Sequence, residues 1–192
     1  MIQHYDSQQP IGIFDSGVGG LSVLRAIRHE LPTEAILYLG DQAHIPYGPR
    51  TKAQIREFAT AITHFLLDQG AKLIIVACNT ASAAALHDLR ALFTDVTFVG
   101  MEPAVKPAAE TTQTGKVGVL ATPTTFASDL YTSAVERFAK DVSLYTNTCP
   151  GLVEQIEAGA LDTPETHAIL EAALHPMLKE GIDTIVLGCT HY

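Results

Sequence analysis

The fold is decided by the stretch Gly70-Ala-Lys-Leu-Ile-Ile-Val-Ala-Cys78. The same pattern returns further along the chain, at a constant offset, as Gly181-Ile-Asp-Thr-Ile-Val-Leu-Gly-Cys189. Each copy is a glycine, a short run rich in β-branched residues and a cysteine, which is typical of a strand buried on both faces of a parallel sheet. We therefore expect two buried strands, each with a thiol at its exit.

A second pair of similar stretches indicates that the chain is built from two halves. Gly12-Ile-Phe-Asp15-Ser16 resembles Gly118-Val-Leu-Ala121-Thr122, because each is a glycine-led strand followed by a hydroxyl residue. Two such pairs predict two similar α/β halves. The boundary is expected within residues 99–107, which divides the chain into domains of residues 1–99 and 100–192. Residues that interrupt regular structure at this boundary are Gly100, Pro103 and Pro107.

Short apolar runs alternate with longer amphipathic segments along the chain. The expected strands are Ile11–Phe14, Ala35–Leu39, Leu73–Ala77, Thr97–Val99, Val117–Leu120, Val142–Tyr145 and Thr184–Leu187. The expected helices are Gly20–Glu30, Thr51–Asp68, Thr80–Phe93, Ser128–Ala139, Leu152–Ala158 and Pro164–Lys179. This alternation predicts the α/β fold class, with two similar domains of mainly parallel sheets whose ligands bind at the carboxyl ends of the strands.

Charge and composition exclude several classes of protein. The 192 residues include 12 Lys and Arg against 21 Asp and Glu, a formal net charge of −9, so the chain lacks the basic surface that a nucleic-acid partner requires. With 47% hydrophobic and 17% charged residues, it is expected to bury a core. Since no apolar run is long enough to cross a membrane and residues 1–10 lack the pattern of a secretory signal, we expect a soluble cytoplasmic protein with no membrane partner.

The cysteines are the first candidates for chemistry. Cys78, Cys149 and Cys189 are far apart and lack Cys-x-x-Cys spacing, which predicts neither a disulfide framework nor a zinc ribbon. Cys78 precedes an alanine-rich helix, whose unpaired N–H groups and dipole favour a thiolate, and Cys189 stands in the same place after its strand. A single cysteine of this kind is more often a small buried hydrophobe, but two at matching positions favour a functional pair.

Several thiol chemistries can be compared with this pattern. A cysteine phosphatase requires an arginine shortly after its nucleophile, and residues 81–86 contain none. A cysteine protease requires one nucleophile with a histidine partner, whereas two cysteines stand here. A metal site of Cys78, Cys189 and His191 stays open, although no pair of these has the spacing of a zinc finger. Two facing thiols suit proton transfer on both sides of one carbon, one as base and one as acid.

Two loops at strand ends are candidates for ligand binding. Asp15-Ser16-Gly-Val-Gly-Gly20 fails as a dinucleotide fingerprint because Ser22 replaces the third glycine. We interpret it as a strand-to-helix turn whose N–H groups approach a small anion, with Asp15 as an acceptor for an ammonium or a thiol. The alternative, which is compatible with this one, is that Asp15 or Ser16 caps the helix that begins near Gly19. The polar loop Gly40–Arg50 follows the second strand and is either a ligand loop or an ordinary surface turn.

Four motifs occur in order along nearly the whole chain. They are Asp15-Ser16-Gly-Val-Gly-Gly-Leu-Ser-Val-Leu-Arg25, Pro46-Tyr47-Gly48, Ala77-Cys78-Asn79-Thr80-Ala81-Ser82 and Gly188-Cys189-Thr190-His191-Tyr192. Together they resemble the glutamate racemase family of bacteria. The resemblance implies a cofactor-independent isomerase that interconverts L- and D-glutamate by a two-cysteine, two-base transfer and supplies D-glutamate for peptidoglycan, and hence for the cell wall and cell shape. It also implies two α/β domains with the active site in the cleft between them, glutamate as the small-molecule partner, and is compatible with a homodimer.

The resemblance further implies roles for single residues. Cys78 and Cys189 match the two acid/base thiols. Asp15 and His191 match their polar neighbours in catalysis, each placed to take up or deliver a proton. Glu157 matches a glutamate that orients the histidine, while Cys149, in the same motif, matches no proton-transfer residue and no metal ligand is implied. The positions that match substrate-binding residues are Asp15, Ser16, Tyr47, Gly48, Asn79, Thr80, Thr122, Thr190 and His191, with Thr125 near them.

The chain departs from the family pattern in two places. Gln42 and His44 stand where the family usually has Thr and Arg, which changes the local hydrogen bonding. Family members run about half a domain longer, and a chain that ends at Tyr192 is expected to lack the return segment of the first domain and the helix after Cys189. We therefore expect a 192-residue polypeptide to be poorly active or incompletely folded near its end. The alternative functions are a related aspartate or hydantoin racemase, or an inactive truncated fragment that binds an amino acid.

Overall fold

The computed structural model describes residues 8–192, so residues 1–7 of the predicted first domain lie outside the described residues. The chain divides into two compact units, with the boundary between Met101 and Glu102.

The first unit is a four-stranded parallel sheet with helices between its strands. The strands are β1 (Ile11–Asp15), β2 (Ile36–Gly40), β3 (Leu73–Val76) and β4 (Phe98–Gly100), in the order β2-β1-β3-β4. The helices are α1 (Leu21–Glu30), α2 (Lys52–Asp68) and α3 (Asn79–Leu92). Helix α2 begins with a capping box in which Thr51 and Gln54 exchange side-chain and backbone hydrogen bonds, as its sequence favours.

The second unit is a three-stranded parallel sheet. The strands are β5 (Lys116–Leu120), β6 (Ser143–Asn147) and β7 (Thr184–Leu187), in the order β6-β5-β7. The helices are α4 (Val105–Thr111), α5 (Pro123–Phe126), α6 (Asp129–Phe138), α7 (Leu152–Glu157) and α8 (Pro164–Lys179). The predicted α/β class with parallel sheets is confirmed.

The repeat in the sequence has a counterpart in the pairing of the strands. Gly12 of β1 pairs with Ile74 of β3, and Gly118 of β5 pairs with Ile185 of β7, so the repeated residues have the same register in both units. Both glycines are required by close packing: a Cβ on Gly12 would lie 2.8 Å from Ile74 Cδ1, and one on Gly118 would lie 2.9 Å from the Cδ1 of Ile182. Each central strand is therefore approached closely by its neighbours.

The structure differs from the predicted elements around two prolines. Residues 99–107 were expected to interrupt regular structure, but α4 already begins at Val105 and contains Pro107 as its third residue. Helix α5, which was not predicted, begins at Pro123. Proline is accepted at both places because the first N–H groups of a helix have no partner within the helix. Most strands agree with the predicted bounds to within about one residue, the usual uncertainty at element ends.

Candidate active site

Most of the candidate residues lie just beyond the carboxyl ends of parallel strands, where ligands bind in this fold class. In the first unit, Asp15 ends β1 and Cys78 lies two residues beyond β3. In the second unit, Thr122 lies two residues beyond β5, and Cys189 lies two residues beyond β7. The two units thus present their candidate residues at equivalent strand ends.

The loop after β1 is organised by Asp15, which is fully buried. Its Oδ2 accepts hydrogen bonds from the backbone N–H groups of Gly17 at 3.1 Å and Gly20 at 3.0 Å. Gly20 cannot carry a side chain, because a Cβ there would lie 2.6 Å from the Cβ of Asp15 and 2.8 Å from Tyr38 Oη. The carboxylate therefore holds Gly20, the N-cap residue of α1, whereas no side chain caps the helix by a hydrogen bond.

The Cys78 side chain is placed by α3, because Cys78 is the N-cap residue of this helix. The Ala81 N–H donates to Cys78 Sγ at 3.4 Å, and Sγ lies 3.8 Å from the Ser16 Oγ that it faces. Both Cys78 and Ser16 are buried. A sulfur in this position receives an N–H group and the positive end of the α3 dipole, which stabilise negative charge on it.

Next to the thiol, Asn79 has an unsatisfied acceptor. Asn79 is the first residue of α3 and is 6% exposed. Within residues 8–192, its Oδ1 is the one buried side-chain oxygen or nitrogen without a hydrogen-bond partner. Since such an atom costs stability, it marks a place where a ligand or a water molecule supplies the missing donor. Thr80 follows it in the same helical turn and is also buried.

The loop after β2 places Tyr47 and Gly48, with Tyr47 almost fully buried. The Tyr47 hydroxyl donates to Asp41 Oδ2 at 2.6 Å. Burial, this hydrogen bond and the negative charges of Asp41, Cys78 and Asp15 all raise the pKa of Tyr47. The phenol therefore stays protonated and acts as a donor, which fixes the loop rather than supplying a base.

The second unit holds a chain of three side chains around Cys189. His191 Nδ1 lies 3.9 Å from Cys189 Sγ, and His191 Nε2 lies 2.5 Å from Glu157 Oε1. The His191 side chain is 2% exposed and that of Glu157 12%. Because a carboxylate accepts, it places the ring proton on Nε2 and turns the Nδ1 lone pair toward the thiol.

Thr122 and Thr125 lie at the end of β5 and are both buried. Thr122 is the N-cap of α5, and its Oγ1 accepts from the Thr125 N–H at 3.3 Å. Thr190, half-buried, stands between Cys189 and His191 in a turn closed by the Tyr192 N–H, which donates to the Cys189 carbonyl oxygen at 3.2 Å. The structure therefore groups Thr122 with Thr125 and groups Thr190 with Cys189 and His191.

Cys149 differs from the other two cysteines in its surroundings. It is buried and has a positive φ of 44°, and burial raises the pKa of its thiol. The thiol lies near Tyr192, whose pKa is raised chiefly by burial. These properties suit a packed side chain rather than an acid or base.

Sequence reasoning assigned no role to Asp41 and His44, although both lie in the first unit beside the candidate residue Tyr47. Asp41 is buried and accepts from Tyr47, and His44 Nδ1 lies 2.8 Å from Asp41 Oδ1. The signal that could have found them is the departure from the family pattern at His44. Within residues 8–192, no group of three or more His, Cys, Asp or Glu side chains has the arrangement of a metal site, and no helix has the length and apolar character to span a membrane.

Comparison with known proteins now defines the class. The model of the Asp/Glu/hydantoin racemase family matches residues 11–192, nearly the whole described chain. The chain therefore belongs to this family, and it is an isomerase.

The similarity within the family is to glutamate racemases. The glutamate racemase of Roseiflexus sp. (strain RS-1) is 58% identical over 186 residues, which are 97% of this chain and 68% of that protein. The crystal structure of Escherichia coli glutamate racemase with L-glutamate and the activator UDP-MurNAc-ala has a TM-score of 0.85 at 41% identity, covering 95% of this chain and 70% of that one. The structure of the Francisella tularensis enzyme with D-glutamate has a TM-score of 0.83 at 34% identity, covering 97% and 70%.

Proposed function

We propose that the protein interconverts L- and D-glutamate by proton transfer at Cα, in which one of the thiols of Cys78 and Cys189 removes a proton and the other supplies one. The observation that carries the proposal is their equivalence: each sulfur lies two residues beyond the strand that pairs with the glycine-led central strand of its unit. Each also has a polar partner, Ser16 in the first unit and His191 in the second.

The proposed reaction breaks a Cα–H bond and an S–H bond and forms one new bond of each kind. One cysteine, as thiolate, takes the α-proton of glutamate, so that the Cα–H bond breaks and an S–H bond forms. The other cysteine, as thiol, gives its proton to the opposite face of the carbanionic carbon, so that its S–H bond breaks and a new Cα–H bond forms. The carbon is inverted and the two sulfurs have exchanged protonation states.

The surroundings of Cys78 support its work as a base. The N–H group of Ala81 and the α3 dipole stabilise the thiolate, and the Ser16 hydroxyl lies beside it. The proton that Cys78 takes stays on its sulfur as S–H, and it leaves either to a glutamate of the opposite hand or to solvent before Cys78 acts as a base again. Asp15, which anchors the same loop, contributes a fixed negative charge that suits a substrate ammonium group.

The surroundings of Cys189 support the same work through a histidine. With Nε2–H bonded to Glu157, the Nδ1 atom of His191 faces the sulfur as an acceptor and takes its proton when a thiolate is needed. The resulting imidazolium is stabilised by Glu157, and it returns the proton when a thiol is needed. Glu157 is thus a positioning residue and His191 a proton partner of the thiol.

The ammonium group and the two carboxylates of glutamate have candidate binding residues in the two units. The orphaned Oδ1 of Asn79 accepts from an ammonium group, and the N-terminal N–H groups of α3 suit a carboxylate. Tyr47 and Gly48 form a loop for a second carboxylate, fixed by Asp41. The remaining proposed binding residues are Asp15, Ser16, Thr80, Thr122, Thr190 and His191.

The choice of glutamate over aspartate or a hydantoin rests on the relatives. The solved structures from Escherichia coli and Francisella tularensis hold L-glutamate and D-glutamate, and this chain covers about 70% of each of them. A related aspartate or hydantoin racemase is the second candidate, because the family model includes those activities. We also propose a cytoplasmic role in supplying D-glutamate for peptidoglycan, which growth of a bacterial strain that requires D-glutamate would test by complementation.

Exchange of the substrate α-hydrogen with solvent tests the proposed function. Each enantiomer of glutamate, of aspartate and a hydantoin is incubated with the protein in deuterated water, and deuterium at Cα is followed by NMR. The proposal predicts exchange and inversion with both glutamate enantiomers. Exchange with aspartate or the hydantoin alone would transfer the assignment to the second candidate, and exchange with none would contradict a racemase.

A further inference from the structure

The loop between β2 and α2 contains a polar cluster that the proposed proton transfer does not use. Asp41 is its centre: His44 Nδ1 lies 2.8 Å from its Oδ1 and 2.9 Å from its Oδ2, and the Tyr47 hydroxyl donates to Oδ2 at 2.6 Å. The Asp41 N–H in turn donates to the carbonyl oxygen of Asp15 at 3.0 Å. The cluster thus joins the loop between β2 and α2 to the end of β1.

An aromatic ring on α2 supports the cluster from its other side. The His44 ring stacks on Phe58 with centroids 3.8 Å apart and an interplanar angle of 15°, and the Tyr47 ring is 5.8 Å from the same Phe58. The His44 carbonyl oxygen accepts from Arg50 Nε at 3.2 Å. His44 therefore has its ring fixed on one face by Phe58, at one edge by Asp41 and through its backbone by Arg50.

We propose that His44 is a positioning residue that sets the affinity for the substrate carboxylate. This proposal rests on the proposed function, since it assumes that the Tyr47-Gly48 backbone binds the substrate carboxylate. Held by Phe58, His44 fixes the Asp41 carboxylate, and Asp41 fixes the Tyr47 hydroxyl and so the course of the loop. A flexible loop would have to be ordered at each binding event, which would weaken binding rather than slow the chemical step.

The two contacts of His44 can be separated by substitution. His44→Asn keeps a donor near the Nδ1 position but loses the stacking, whereas His44→Phe keeps the stacking and loses the donor. His44→Ala loses both. A matched control is His64→Ala on α2, because the His64 ring contacts Phe93 edge-on at 4.9 Å, away from this loop.

The test measures steady-state kinetics with both glutamate enantiomers and, independently of turnover, the Kd for glutamate by calorimetry. His44→Ala is expected to raise KM and Kd about tenfold, the size of a lost hydrogen bond to a charged group, with kcat changed less than about threefold. His44→Asn and His44→Phe, which each keep one of the two contacts, are expected to raise KM and Kd less than His44→Ala does, and His64→Ala is expected to behave as the unaltered protein. KM and Kd unchanged in His44→Ala, or a fall confined to kcat, would overturn the proposal.

The two readouts also distinguish this proposal from the proposed function. If the unaltered protein binds glutamate without exchanging its α-hydrogen, the racemase assignment fails and the Kd values alone decide the role of His44. If it binds no glutamate, the role of His44 is overturned as well.

Discussion

His191 and Glu157, which are far apart in the sequence, lie 2.5 Å from each other between Nε2 and Oε1, with the histidine ring 2% exposed. Glu157 ends α7, whereas His191 follows β7, so the pairing depends on how these two elements pack. The contact favours the ring orientation in which Nδ1 faces Cys189, and the proposed role of His191 as the proton acceptor of that thiol depends on it.

Replacing Glu157 by glutamine tests this relationship. Glu157→Gln keeps the shape of the side chain but removes the charge that stabilises the imidazolium, so kcat is expected to fall about 10- to 100-fold with little change in KM. The control is Glu154→Gln on the exposed side of the same helix, which should leave both constants unchanged. An equal effect of the two substitutions on kcat would show that Glu157 contributes only its negative charge and not its contact with His191.

Asn79 is expected to show opposite effects on stability and binding. Asn79→Leu removes a buried acceptor without a partner, so the free energy of unfolding without ligand should rise by about 1 kcal/mol while glutamate binds more weakly. Denaturant unfolding and calorimetry measure the two quantities. The contrasting variant is Asn147→Leu, because Asn147 Oδ1 accepts from the Cys149 N–H at 2.8 Å, and its loss should destabilise. A destabilised Asn79→Leu would mean that Oδ1 is satisfied in solution.

The hydrogen bonds of the Asp183 carboxylate are expected to make the stability of the protein depend on pH. Its carboxylate accepts from Thr112 Oγ1 and from the N–H groups of Gln113 and Thr114, and these bonds, that of Thr112 first, lower its pKa far below the usual value. A lowered pKa in the folded state stabilises the protein above the unfolded value of about 3.9, and this contribution is lost as the pH falls toward the folded value.

Thermal unfolding of Asp183→Asn tests that dependence. The variant should unfold at a lower temperature than the unaltered protein near about pH 7, and the difference should shrink below about pH 4. Asp141→Asn, on the exposed surface of the same unit, is the control. A difference that persists unchanged at the lower pH would show that the hydrogen bonds of Asp183 do not depend on its charge.

The fold could be predicted from the sequence because its signals are local. The run Leu73–Val76 is apolar throughout, as a strand buried on both faces must be, and Thr51 with Gln54 marks the start of α2. The exceptions have local causes too. Pro107 was interpreted as a breaker, but it lies in the first turn of α4, where it costs the helix no hydrogen bond.

The site was less accessible to sequence reasoning because its contacts join distant residues. Spacing indicated that Cys78 and Cys189 occupy equivalent strand ends, but the contact of Glu157 with His191 came only from the family resemblance. The cluster around Asp41 was missed because its hydrogen bonds depend on the course of an irregular loop, which no periodic pattern encodes. Whether the equivalent strand ends form one active site stays a prediction.

The most direct test of the central claim is the rate of racemisation of glutamate by Cys78→Ala, Cys189→Ala and Cys149→Ala, measured by circular dichroism with both enantiomers. The account predicts that the first two variants lose at least about 10³-fold in rate, as expected when an acid or base is removed, and that Cys149→Ala stays within about threefold. Racemisation at the unaltered rate by either Cys78→Ala or Cys189→Ala would contradict a mechanism in which one thiol removes a proton from the substrate and the other supplies one.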